Sequence, residues 1–177
     1  EIKEIVDIGF NFIKFHPRNL DLKIGNNFYI KAFKILNKSK LHIMWCTFDG
    51  WSTKKIGEIN QIDFLSKLIN LVDNNKIILM HSGGPNILKY YEKFRFVENV
   101  YFDFSYTLTH YTNTSIEKDI IFLFKNFDKR IVCGTDFPTF SFDKHQIILK
   151  KILKKSKISK NKLLNITYRN LKKINET

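Results

Sequence analysis

Ile131-Val132-Cys133-Gly134-Thr135-Asp136-Phe137-Pro138 decides the reading of this chain. A short apolar run, the core of a buried strand, ends on a carboxylate in a turn that glycine and proline punctuate. The pattern recurs upstream with a histidine, where Lys76 to Met80 leads into His81-Ser82-Gly83-Gly84-Pro85. Asn11 to Phe15 closes on His16-Pro17, Leu41 to Phe48 on Asp49-Gly50, and Val100 to Phe104 is a further β-rich run. The predicted strands cover residues 12–16, 42–47, 77–81, 100–104 and 131–134.

Helical periodicity fills the gaps between them. Phe28, Ala32, Ile35 and Leu36 share one face, and Ile62, Leu65, Leu68, Ile69 and Val72 recur at three- and four-residue steps within a helix predicted over 56–72. Further helices are predicted over 86–94, with Pro85 near the start, and over 116–127, 144–153 and 161–174; residues 1–7 read as the tail of another. Strand and helix alternate at the spacing of βαβ units. The strands are nearly continuous in apolar residues rather than alternating, which predicts a parallel sheet covered on both faces. Such a sheet is either open and doubly wound or part of a (β/α) barrel. No GxGxxG and no Walker motif is present, which argues against a nucleotide-binding open sheet.

The 177 residues are enough for one domain with a real core. With 44% hydrophobic residues and 17 Phe, composition argues against disorder, and the core is expected to be rich in rings. No apolar run approaches the ~20 residues of a membrane span, and Cys46 and Cys133 are too few for a disulfide framework. The expected setting is cytoplasmic. The chain opens on Glu1-Ile2-Lys3-Glu4 without Met, so upstream residues are expected.

The net charge of +13 raises a nucleic-acid reading. Arginine, which phosphate and base recognition favour, stands only at 18, 95, 130 and 169, while Lys, Asn and Ile abound. These residues have A/T-rich codons, so compositional drift accounts for the charge. The Lys-rich stretch 150–173, interrupted by Leu153, Ile158, Leu163, Leu164, Ile166 and Leu171, reads as surface helices with solvated lysine faces.

Candidate chemistry sits at the strand ends. Period-two alternation puts Lys14 and His16 on one face, Leu79 and His81 on one face, and Val132, Gly134 and Asp136 on one face. In a barrel those faces are interior, and the last residue of each lies at the mouth where barrel enzymes work. A lone His is more often structural, and an Asp after Gly-Thr is often a helix N-cap. Thr139 or Ser141 can supply the cap instead, which leaves Asp136 for other work.

Phe12-Ile13-Lys14-Phe15-His16-Pro17, Ile78-Leu79-Met80-His81-Ser82-Gly83-Gly84, Val100-Tyr101-Phe102-Asp103-Phe104-Ser105 and Ile131 to Pro138, in that order, resemble the second half of an amidohydrolase-related barrel protein. This is the metal-dependent hydrolase and decarboxylase branch of the amidohydrolase superfamily. Leu163-Leu164-Asn165-Ile166-Thr167-Tyr168-Arg169-Asn170-Leu171 resembles its closing helix. The resemblance implies an α/β fold, a partial (β/α)8 TIM barrel holding strands 4 to 8, with residues 1–177 a single domain whose first three strands lie outside the chain. It implies a divalent metal, zinc, with Asp136 in the strand 8 role and His81 in the strand 6 role, both catalytic. Cys46 aligns with the family's strand 5 His and is the third candidate ligand; His42 lies at the wrong end of that strand. Lys14, His16 and Trp51 are the candidate substrate-binding residues.

The expected activity is hydrolysis of a small polar or anionic substrate by metal-activated water. The alternatives are decarboxylation, a non-catalytic barrel relative in which Cys46 replaces a ligand and no His-x-His is present, and, last, a basic nucleic-acid-binding domain. A small-molecule substrate and a homo-oligomer are the expected partners, with no membrane.

Overall fold

The computed structural model describes residues 2–19, 22–48 and 60–176. Among them run β1 (Phe12–Phe15), β2 (His42–Cys46), β3 (Ile77–Met80), β4 (Val100–Asp103) and β5 (Ile131–Val132). All neighbours are parallel, and the sheet order is the chain order. Helices α1 (Ile2–Asp7), α2 (Leu22–Leu36), α3 (Gln61–Ile69), α4 (Ile87–Phe94), α5 (Thr107–His110), α6 (Ile116–Asn126), α7 (Phe142–Ser156), α8 (Lys160–Leu164) and α9 (Asn170–Asn175) complete the order. This is the partial α/β barrel that the alternation predicts: each strand returns parallel to the last through a helical crossover, in sequential order.

The two faces of the sheet carry different layers. Ile43, Trp45, Ile77, Leu79, Val100, Phe102 and Ile131 face the helices in the main core. Phe15, Tyr29, Phe33 and Phe64 surround the fully buried Trp45 with centroid distances of 5.2–6.3 Å, so the abundant rings are spent on this sheet–helix interface. The inner face holds a second layer of Phe12, Met44, Ile78, Met80, Tyr101 and Val132, joined by Ile174 from α9. Ile174 plugs the N-terminal end of the arc, and its carbonyl takes a 2.8 Å hydrogen bond from His42 Nε2. His42 Nδ1 accepts from Lys76 N at 3.3 Å, which fixes the tautomer. His42 thus closes the base, as its place at the start of β2 implies.

The closing segment is not one continuous α-helix. Between α8 and α9, Asn165–Arg169 form a π-helical turn, with Asn170 N–H donating to Asn165 O. This turn lets Asn165 Nδ2 reach Asp128 Oδ2 at 2.6 Å while Asn170 Nδ2 reaches Asp128 O and Ile131 O, both at 2.7 Å. The C-terminus is thereby anchored to the start of β5.

Two expectations are corrected. Each strand is one or two residues shorter than predicted, because the chain leaves the extended region at the strand ends, most sharply at His81 (φ 65°), directly after β3. Leu79 faces the helices, not the interior; Ile78 and Met80 point inward. His81 therefore reaches the mouth by a left-handed turn and not by strand alternation.

Candidate active site

Left-handed residues gather where the strands end. His81 (φ 65°), Ser82 (φ 48°), Gly83 (φ 83°) and Gly84 (φ 53°) follow β3, Tyr106 (φ 60°) follows β4, and Asp136 (φ 61°) follows β5. Side chains with a Cβ disfavour this region by about 1–2 kcal/mol per residue, and such residues persist only where their surroundings over-determine them. Gly83 has no alternative, since a Cβ there would lie 2.2 Å from Tyr90 Cδ2.

What holds these turns is a buried polar collar. Thr47 Oγ1 donates to Met80 O and accepts from Gly83 N at 2.7 Å. Ser82 Oγ donates to Asp103 O at 2.7 Å, and Thr107 Oγ1 donates to His81 O. Asp103, 3% exposed, is the hub. Its Oδ1 accepts from Ser105 N and Gly134 N, each at 3.1 Å, and its Oδ2 accepts from Ser105 Oγ, with His81 N at 3.5 Å. One carboxylate thus links the ends of β3, β4 and β5. Thr47, Asp103, Ser105 and Thr107 are missing from the sequence-derived candidates. The signal was present: each is a small polar residue at the end of an apolar run, spaced two apart in Asp103-Phe104-Ser105 and Ser105-Tyr106-Thr107.

The collar positions His81. Its Nδ1 donates to Ser105 O at 3.2 Å, which sets the ring orientation. The ring also hydrogen-bonds the Cys46 thiol. Burial lowers the His81 pKa, but the bond to Cys46 and its charge, then the Ser105 carbonyl and Asp103, outweigh burial and raise it. Burial raises the Cys46 pKa, but the His81 bond, the Phe48 backbone and the His81 and Arg18 charges reverse this and lower it. The two shifts run in opposite directions, Cys46 down and His81 up, each through the other group.

His16 lies in the same electrostatic neighbourhood. Burial lowers its pKa, then the charges of Lys14, Arg18 and His81, against which Asp136 raises it. The charges of Lys14, His81 and Asp136 thus all act on His16. Lys14 is exposed. Asp136 is not the cap of the following helix: Ser141 Oγ accepts from Lys144 N at the start of α7. Among the described residues, no hydrogen bond or ion pair reaches the Asp136 carboxylate. Trp51 lies outside the described residues.

Rings frame this end of the arc. Tyr106 stacks on His110 at 4.6 Å and meets Phe48, Phe140 and His81 at 5.2, 5.6 and 5.8 Å. Burial, then the Asp136 charge, raises the Tyr106 pKa, so its hydroxyl stays protonated at neutral pH.

A zinc site takes three or four protein ligands. Among the described residues, no three His, Cys, Asp or Glu side chains are grouped to hold a metal ion. Cys46 and His81 are committed to each other, and Asp136 does not join them in a ligand group. These residues alone do not make the expected centre.

No family model matches the chain and no curated protein matches it. Among solved structures, an uncharacterised TIM-barrel protein of Bordetella bronchiseptica is similar, with a TM-score of 0.71 and 13% identity over 99% of this chain. The chain spans about 60% of the length of that protein. Among the described residues, no helix is long and apolar enough to cross a membrane. At this identity the likeness establishes the fold, and with five parallel strands in sequential order the chain is a TIM-barrel-like α/β arc.

Proposed function

We propose that the chain carries the reaction centre of an amidohydrolase-type barrel hydrolase acting on a small polar or anionic substrate. The observation that supports this most is the shared neighbourhood of His16, Lys14, His81 and Asp136 at the C-terminal ends of three parallel strands. In barrel enzymes that end is where chemistry occurs. Lys14 and the His16 edge attract an anionic substrate. Asp136, unpaired among the described residues, is the available proton acceptor. His81, held by Ser105 O and raised in pKa, is the proton donor.

A divalent metal, zinc in the first instance, belongs to this reading only if ligands from outside the described residues complete the set. When bound, it would supply a water acidified toward neutrality. The Cys46–His81 bond favours a second reading, a barrel relative that keeps the fold without catalysis.

The test is turnover by the purified protein against a panel of amides, esters and small carboxylic acids. Asp136→Asn is expected to lower turnover about a thousandfold, the scale of a lost ionic group in the transition state, with the melting temperature unchanged. Near-normal turnover in Asp136→Asn overturns the assignment. A wild-type protein that turns over no substrate and binds no metal supports the second reading.

A further inference from the structure

At the opposite end of the arc, and independently of the reaction centre proposed above, we propose a binding site for a small phosphomonoester, its phosphate held by Arg95 and Lys129 and its organic part set against Phe96.

The site is a cleft of about 370 Å3 between the end of α4, with Tyr91, Arg95 and Phe96, and the turn from α6 to β5, with Lys129 and Arg130. That volume lies within the range of small-molecule sites. The lining residues precede β4 and β5, so the cleft opens at the base of the arc and not at the mouth.

Two helix C-termini meet here, and the free carbonyls at such ends repel anions. Arg130 removes that obstacle. Its guanidinium donates to Arg95 O and Val97 O, with Val100 O at 3.4 Å, and lies 4.5 Å from the Phe127 centroid. It braces the turn after α4 and covers its carbonyls with positive charge. The acid in the lining, Asp128, is engaged elsewhere: Oδ2 accepts from Asn165 Nδ2 at 2.6 Å, and Oδ1 lies 3.6 Å from Lys162 Nζ.

Two cations remain for a ligand. Lys129 is exposed, and among the described residues no hydrogen bond or ion pair reaches it. Arg95 makes one ion pair, from Nη2 to the exposed Glu92 at 3.4 Å, and exposed pairs of this kind contribute little. Its head lies 4.7 Å from the Phe96 centroid and 5.7 Å from the Tyr91 centroid, while Nε is buried without a partner. A surface arginine free to swing into water would satisfy that donor. This one is held at the cleft wall despite the cost. Two of the four arginines in a chain with 30 basic residues line this cleft, and only Arg130 has a bracing role that accounts for it.

A fixed guanidinium beside a free ammonium is a donor set for phosphate, whose oxygens take an arginine fork and a lysine point charge together. The ester group finds apolar surface on Phe96, which is 81% exposed.

The experiment titrates the purified protein calorimetrically with phenyl phosphate, inorganic phosphate and phenol at one ionic strength. Phenyl phosphate is expected to saturate a single site, inorganic phosphate to bind about tenfold more weakly, and phenol not to bind. Arg95→Gln weakens phenyl phosphate at least tenfold, the scale of one lost charged hydrogen bond. Arg95→Lys, which keeps the charge and loses the fork, weakens it nearly as much. Lys150→Gln, at an exposed lysine of α7, leaves binding unchanged. Should the Arg95 variants fail to fold, the Arg95 Nε–H resonance of the wild-type protein decides the matter by shifting, or not, on addition of phenyl phosphate. Absence of saturable binding, full affinity in Arg95→Lys, an unmoved Arg95 resonance, or an equal loss in Lys150→Gln overturns the proposal. So does binding of an RNA oligonucleotide where phenyl phosphate does not bind, which marks a diffuse basic surface. None of these readouts needs turnover, so this site and the hydrolase reading fail separately.

Discussion

Removing the Asp103 carboxylate should be the most destabilising single change at the mouth, and the cost can be worked from its partners. Asp103→Ala strips the acceptor from Ser105 N and Gly134 N at 3.1 Å, from Ser105 Oγ, and from the longer His81 N contact. An orphaned buried donor costs about 1–3 kcal/mol. The two well-formed amide bonds, together with the small cavity, then give about 3–6 kcal/mol. That is a large part of the ~5–15 kcal/mol available to a domain. Asp103→Asn keeps one oxygen for the two amides but loses the charge and sets an NH2 group against Ser105 Oγ and His81 N. Its cost should be about 2–3 kcal/mol, the difference between charged and neutral bonds summed over those partners. Asp136→Asn is the internal control: the same chemical change, one strand over, on a carboxylate with no partner among the described residues, should stay within about 0.5 kcal/mol. Urea titration followed by circular dichroism gives all three values. Asp103→Ala within ~1 kcal/mol of wild type, or Asp136→Asn costing as much as Asp103→Asn, would refute the division between a structural and an unpartnered carboxylate.

Gly83→Ala should cost about 3 kcal/mol or more, since it adds a left-handed penalty to a Cβ placed 2.2 Å from Tyr90 Cδ2; an unchanged denaturation midpoint would contradict the turn. Acid should destabilise the fold through His42 and His145, whose pKa values burial depresses. The unfolded chain takes up these protons below about pH 6.5 and the folded chain resists, so stability is full above that pH and falls below it. His81, raised in pKa, acts in the opposite direction, its contribution present at low pH and lost as pH rises through the folded value. His42→Gln should therefore shrink the drop in melting temperature between pH 7.5 and 5, and an unaltered drop would exonerate His42.

The sheet was legible because its strands are short apolar runs that close on turn residues, unlike the equally apolar Ile120 to Phe124, which lies inside a longer helical stretch, and because parallel strands buried on both faces have no polar alternation to obscure them. The end of β3 was not legible. Alternation predicts the facing of His81 from Leu79, but the left-handed turn at His81 breaks the period at the residue of interest. The placement of His16, His81 and Asp136 just after the C-terminal ends of β1, β3 and β5 was readable from the strand ends. The collar residues stand one by one at the ends of apolar runs, but apart from the two Ser105–Asp103 bonds the collar joins residues 21 to 36 positions apart, as in Ser82 to Asp103 and Thr47 to Gly83. Local pattern carries no trace of such pairings. Tyr106 was invisible for a different reason: no propensity would place an aromatic residue at φ 60°.

The π-helical turn at Asn165–Arg169 makes the base of the arc tolerant of a lost residue at one place and intolerant of it just beyond. Asn170 N–H reaches back five residues to Asn165 O, so deleting the exposed Thr167 or Tyr168 turns that bond into a regular four-residue one to the same carbonyl and leaves Asn170 and Ile174 where they are. A residue lost from α9 between Asn170 and Ile174 has no such slack. It rotates Ile174 by about 100°, out of the inner layer, and takes its carbonyl from His42. Natural length variation at the base should therefore fall in that turn and not in the helix that follows it.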